Sequence, residues 1–189
     1  MHTLGGMPGL RGIEHFGLTV PDIDAACEFF EKVIGCEVLF SAGAFSDDNS
    51  DWMTQHLNVN PRAKIKEYRY VRCGNGTNLE IFQYEAPDQG TALPKNSDHG
   101  GHHIAFYVDD MSAALEHLRK HNVRILDEPT VTPAGPTKGL TWCYFLTPWG
   151  LQLEIVSCEQ GIAHDENQDG KTLLWHPKFP KERLYDLAD

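Results

Sequence analysis

The sequence predicts an α+β fold made of two copies of one unit, each a strand, a helix and three further strands. Three observations carry this reading. The stretch H-F-G-L-T-V-P-D-I-D-A-A from His15 aligns without gaps on H-I-A-F-Y-V-D-D-M-S-A-A from His103, with the His, Val, Asp and both Ala in common. Farther on, Y-R-Y-V-R-C-G-N-G-T-N-L-E-I from Tyr68 aligns on W-C-Y-F-L-T-P-W-G-L-Q-L-E-I from Trp142, so that Tyr70 meets Tyr144, Gly76 meets Gly150 and Glu80 meets Glu154. Between these marks the apolar period changes from two to that of a helix and back again.

Each element follows from local rules. Glu14 to Val20 alternates, with Phe16, Leu18 and Val20 on one face and His15, Gly17 and Thr19 on the other, as a half-buried strand does. Asp22 is a helix N-cap, Ile23, Ala26, Phe29, Phe30 and Val33 repeat at helical spacing, and Gly35 is the stop. Strands near Glu37 to Phe40, Lys66 to Arg72 and Asn78 to Tyr84 complete the first copy. In the second copy the same order is Ile104 to Val108, a helix from Asp110 to His121, then Val123 to Leu126, Leu140 to Leu146 and Leu151 to Val156. The two pairings differ in offset by about 14 residues. The excess lies in a polar insertion at 41–64, with a short helix near Trp52 to Leu57, opposite a shorter Pro/Gly loop from Glu128 to Gly139. The expected organisation is a first module at 11–86, a second at 99–158 and an extension at 159–189, the two modules forming one domain.

Composition narrows the function. The 189 residues are 41% apolar and 23% charged, the balance of an ordinary globular protein. A net charge of −11 opposes the phosphate attraction that drives nucleic-acid binding, and nucleic acid and membrane surfaces are not expected partners. No apolar run approaches the ~18 residues a bilayer span needs, and Met1 to Leu10 has neither a basic nor an apolar leader region; the expected location is the cytoplasm. Five scattered cysteines, Cys27, Cys36, Cys73, Cys143 and Cys158, without a C-x-x-C pair, read as small buried residues in a reducing compartment.

Alternation also gives side-chain direction. Leu18 and Val20 oppose His15, Leu79 and Ile81 oppose Glu80, Ile104, Phe106 and Val108 oppose His103, and Leu153 and Ile155 oppose Glu154. The aliphatic faces must pack on the helices. The other face then carries two imidazoles and two carboxylates, a donor set for one divalent ion of the zinc, nickel, cobalt, manganese or iron(II) type. His103 is the ligand rather than adjacent His102, because it is the one that aligns with His15. His117 and His121, four apart on a helix, read as a solvated face.

These residues resemble a known family. An H-x-x-[LF]-x-V-x-D opening and an L-E-I close in each copy are similar to the vicinal oxygen chelate superfamily, which includes glyoxalase I, methylmalonyl-CoA epimerase, extradiol dioxygenases and the bleomycin and fosfomycin resistance proteins. The resemblance spans about residues 11–158. It implies two βαβββ modules forming a cupped mixed sheet around a metal held by His15, Glu80, His103 and Glu154, an order similar to that of bacterial glyoxalase I. This chain has Thr19 where glyoxalase I carries an Arg, and Glu80-Ile81-Phe82-Gln83-Tyr84 where it carries E-L-T-x-N, so glutathione-binding residues do not transfer.

The expected function is a metal-dependent, glyoxalase-like isomerase, epimerase or lyase acting on a small substrate with neighbouring oxygens through an enediolate or enolate, with Glu154 as ligand or general base. An extradiol-type iron(II) dioxygenase and a metal-free drug-binding protein are the alternatives, both disfavoured by a full set of four donors. Tyr70 and Tyr144 are the expected substrate contacts. Phe45, Trp52, Met53 and Leu57 in the insertion, and Leu173, Leu174, Trp175 and Phe179 in the extension, are too apolar to stay in water. The insertion is expected to cover the mouth of the cup, and the extension to pack on its own modules or on a partner in a two-fold homodimer.

Overall fold

The computed structural model describes residues 7–166 and 173–180. Residues 1–6 and the parts of the extension at 167–172 and 181–189 lie outside the described residues. The chain divides into two compact units, Gly12–Ala92 and one built mainly from Leu93 onward.

In the first unit β1 is His15–Thr19, α1 is Ile23–Phe29, β2 is Glu37–Ala42, α2 is Trp52–Leu57, β3 is Lys64–Arg72 and β4 is Asn78–Glu85. The sheet order is β1-β4-β3-β2, with β1 parallel to β4 and the other pairs antiparallel. The parallel pair is possible because α1 and the strands after it carry the chain back across the sheet. Asp22 caps α1 by accepting the Ala25 N–H at 2.9 Å. The predicted helix runs to Gly35, but its last turn, Phe30–Ile34, widens to π geometry before Gly35 ends it at φ 86°. Leu18, Val71, Leu79 and Ile81 bury one face of this sheet, and Ile23, Ala26, Phe29 and Phe30 bury the helix side.

The second unit repeats the plan. Here β5 is Ile104–Tyr107, α3 is Met111–Lys120, β6 is Arg124–Ile125, β7 is Thr130–Val131, β8 is Thr141–Leu146 and β9 is Gln152–Ser157. The order is β5-β9-β8-β6, with β5 parallel to β9, and Asp110 caps α3 through Ala113 N. The stretch from Glu128 to Gly139 is not all loop, since β7 within it adds to β8.

The insertion is ordered by its own small core. Met53, Ala63 and Ile65 are buried, with Trp52, Val59, Tyr68, Phe82, Tyr84 and Ala86 packed around them. Tyr68 pairs Phe82 across β3 and β4, on the face that carries Glu80, so the insertion packs on that face of the first sheet. Part of the extension docks on its own unit. The His176 ring meets Tyr107 edge-on at 4.2 Å and Lys178 Nζ lies 2.7 Å from Asp109, while Leu174 and Trp175 stay exposed.

The cysteine reading needs correction. Cys27 and Cys143 are buried thiols, but Cys36 and Cys73 form a disulfide. Glu37 pairs Arg72 across β2 and β3, which brings the next residue out on each strand, Cys36 and Cys73, face to face. Spacing along the chain, 37 residues, gave no hint of this because the pairing is set by strand register. The disulfide removes the argument on which a reducing compartment rested. Among the described residues no helix is long and apolar enough to cross a membrane.

Candidate functional site

The two units hold equivalent constellations. In the first, Gly17 pairs Glu80 across β1 and β4, so His15, two residues back on the same face, reaches the carboxylate: Nε2 is 3.2 Å from Glu80 Oε2. In the second, Ala105 pairs Glu154, and His103 Nε2 is 3.1 Å from Glu154 Oε2. On the far side of each carboxylate stands a tyrosine, Tyr70 opposite Glu80 and Tyr144 opposite Glu154. The register places Glu and Tyr on neighbouring strands and a His at, or just before, the start of the next, twice.

The donors suit a divalent ion. Two ligand atoms each ~2.1 Å from one cation stand about 3.0 Å apart at a right angle and about 3.4 Å apart at a tetrahedral angle. The observed 3.2 and 3.1 Å lie between these. The other ring nitrogen of His15 is also committed, with Nδ1 2.5 Å from Glu14 Oε2 and 3.4 Å from Tyr70 Oη. A carboxylate on Nδ1–H fixes the tautomer that leaves the Nε2 lone pair for a metal. Among the described residues, no group of three or more His, Cys, Asp or Glu side chains gathers where it could hold one metal ion. Each unit thus offers half of the donor set that the sequence predicts.

The carboxylates differ in setting. Glu154 is 8% exposed, and burial pushes its carboxyl above the usual range against the opposing pull of His103. Burial also raises the Tyr144 hydroxyl, with the Glu154 charge adding to it, and burial and then Glu80 act the same way on Tyr70. Both rings stand edge-on to a histidine, Tyr70 at 5.7 Å from His15 and Tyr144 at 5.1 Å from His103. The expected substrate contacts are therefore neighbours of the imidazoles.

Adjacent His102 turns Nδ1 to the Gly100 carbonyl at 3.0 Å. The His117 and His121 rings lie tilted 4.3 Å apart at the C-terminal end of α3, with His121 Nδ1 donating to the His117 carbonyl. Sequence reasoning missed Glu14. Its position next to His15 was visible, but adjacent strand residues ordinarily point to opposite faces, and Glu14 precedes β1, where that rule no longer holds.

The family model described as Glyoxalase/Bleomycin resistance protein/Dioxygenase superfamily matches residues 12–155. A 2-epi-5-epi-valiolone epimerase of an Actinomyces species is 44% identical over 174 residues, covering 92% of either chain. An ethylmalonyl-CoA/methylmalonyl-CoA epimerase of Cereibacter sphaeroides is 29% identical over 125 residues, covering 65% of this chain and 81% of its own. Among solved structures, a glyoxalase family protein from Bacillus cereus matches with a TM-score of 0.61 over 80% of this chain and 98% of its own, at 16% identity, a likeness of fold.

Proposed function

This chain belongs to the Glyoxalase/Bleomycin resistance protein/Dioxygenase superfamily, and from that premise we propose that it is a divalent-metal-dependent epimerase that removes and returns a proton at a carbon next to a carbonyl. The observation that carries this reading is the repeated pair, His15–Glu80 at 3.2 Å and His103–Glu154 at 3.1 Å, at the same register position in each unit. Two imidazoles and two carboxylates make up the donor set that would hold such an ion. That the two relatives described above are epimerases favours isomerisation over oxygen insertion or drug sequestration.

A divalent ion held by such residues would supply a Lewis acid for two neighbouring substrate oxygens, which lowers the cost of removing the proton from the adjacent carbon. Glu154 takes the proton at its carboxylate. Its burial keeps water from competing for that proton, and His103 orients the oxygen that receives it. Inversion requires that the proton return from the opposite side of the carbon. Tyr70 and Tyr144 bind substrate oxygens beside the imidazoles. The same reading includes a two-fold homodimer, in which Leu174 and Trp175, 52% and 49% exposed, meet a second copy.

The test is proton exchange in heavy water with metal-loaded protein and a 1,2-oxygenated carbonyl compound. One solvent deuteron at the inverted carbon is expected. Glu154→Gln should retain appreciable metal and lose ~10²–10⁴-fold in turnover. Absence of exchange with every such compound, or unchanged turnover in Glu154→Gln, would refute the assignment.

A further inference from the structure

The two histidine–carboxylate pairs share their donors and differ in what stands behind them. In the first unit one row across the sheet runs through His15, Asn78 and Arg72, which pair in register on β1, β4 and β3. The Asn78 amide links this row to Glu14. Its Oδ1 accepts from Arg72 Nη1 at 3.5 Å, and its NH₂ donates to Glu14 Oε1 at 2.9 Å and to the Glu14 carbonyl at 3.2 Å. Arg72 accounts for the way the amide faces, since a guanidinium only donates and so meets the amide oxygen. The Thr77 hydroxyl donates to the same Glu14 carbonyl at 2.7 Å. Glu14 stands just before β1, and β4 holds it there through these bonds.

A single carboxylate thus bridges two partners. Oε1 receives the Asn78 amide, and Oε2 lies 2.5 Å from His15 Nδ1. The Glu14 side chain is 66% exposed, and a long side chain beside water gains rotamer entropy by swinging free. Asn78 opposes that release with a fixed donor at the oxygen that His15 does not use. With Glu14 held, Nδ1 keeps its proton and the Nε2 lone pair faces the Glu80 side of the site.

The second unit has the same row without the network. At the places of Glu14, Asn78 and Arg72 stand His102, Gln152 and Leu146. Gln152 pairs Leu146 just as Asn78 pairs Arg72, but an apolar side chain offers the amide oxygen no donor. His102 turns its Nδ1 to the Gly100 carbonyl. Among the described residues no carboxylate is bonded to Nδ1 of His103.

We propose that Asn78 is a positioning residue: through Glu14 it fixes the tautomer and direction of His15, which makes His15 and Glu80 the stronger half of the donor set and His103 and Glu154 the weaker. The inference rests on the metal reading above and adds to it which half anchors the ion and which residue outside the donor set is responsible.

The experiment uses full-length, ¹⁵N-labelled protein freed of metal, and imidazole correlation spectra at about pH 8, where histidine is neutral. His15 should show the Nδ1–H form alone and His103 a mixture of both forms. Asn78→Leu should turn His15 to a mixture and leave His103 unchanged, while Asn78→Gln, which keeps an amide donor, should restore the Nδ1–H form at least in part. If Asn78→Leu does not fold, Arg72→Leu, which copies the second unit at that place, carries the same expectation and the same refutation. Zinc affinity by chelator competition is the second readout. Asn78→Leu should lower it about threefold to tenfold, short of the ~10–100-fold found for groups bonded to the ligand itself, and Gln152→Leu less than about twofold. His15→Ala should weaken zinc at least about threefold more than His103→Ala. A His15 tautomer indifferent to Asn78→Leu, or equal losses in His15→Ala and His103→Ala, would overturn the proposal. Failure of the parent protein to bind zinc would instead defeat the metal reading, and the His15 tautomer in the metal-free protein would still decide the role of Asn78.

Discussion

Replacing Met53 with Ala tests whether the insertion is an integral part of the first unit. Met53 is fully buried and forms, with Ala63 and Ile65, the centre against which Trp52, Tyr68, Phe82 and Tyr84 pack. Truncation removes three side-chain heavy atoms, and at ~0.8 kcal/mol per buried methylene-sized group the transfer loss is about 2.4 kcal/mol. Leaving the cavity unfilled adds about 24 cal/mol per Å³ of residual void, less whatever the six-residue α2 recovers by settling inward. The sum is about 2–4 kcal/mol. For a chain of this size each kcal/mol lowers the melting midpoint by ~2–4 °C, so calorimetry should register a fall of roughly 4–16 °C in a single transition. Met53→Leu, which nearly conserves volume, should cost less than ~1.5 kcal/mol. Because Val59 and Ala63 line a cavity of about 500 Å³ beside this core, on the face that carries Glu80, Met53→Ala should also raise KM for substrate more than it lowers kcat. A midpoint within about 1 °C of the parent, with KM unchanged, would show that the insertion neither folds with the sheet nor shapes the site.

Other outcomes follow from individual contacts. Glu14→Gln should weaken metal binding by roughly tenfold in a chelator competition, the low end of the ~10–100-fold found for such partners, because the Glu14 side chain is 66% exposed; unchanged affinity would mean that His15 needs no orienting carboxylate. Cys36 and Cys73 lie 37 residues apart, and opening a loop of that size by reduction or Cys73→Ser should cost ~3–4 kcal/mol in denaturant unfolding. Arg69, and then Ser41, hold the Glu67 carboxyl below its ordinary value of 4.5. Since the folded state favours the charged form, this stabilisation is present above pH 4.5 and is lost as pH falls through the depressed value. In Glu67→Gln the stability profile should therefore flatten below pH 4.5, with little change in slope at neutral pH.

What the sequence determined by itself was the order of elements and the identity of the paired residues. Both follow from local rules. Asp22 and Asp110 cap α1 and α3 because a short acceptor before an apolar period satisfies helix N–H groups whatever lies beyond, and alternation assigns His15, Glu80, His103 and Glu154 to faces without reference to any neighbour. The duplication then marked these four as equivalent, because a repeat carries positional information that no single residue does.

Tertiary structure decided everything that depends on register and on approach across space. Gly17 opposite Glu80 and Ala105 opposite Glu154 turn four candidate residues into two pairs at bonding distance. The same register joined Cys36 to Cys73, which the chain separates by 37 residues. Burial of Glu154, against the greater exposure of Glu80, depends on what packs above each strand, and alternation is blind to that. The cavity is the clearest case. Thr19 and Tyr84 lie on strands, whereas Asn58, Asn60, Asp88 and Gln89 come from aperiodic segments on either side of β3 and β4. Loop residues obey no period that would declare their direction, and only the folding of the insertion onto the sheet brings these amides around one space.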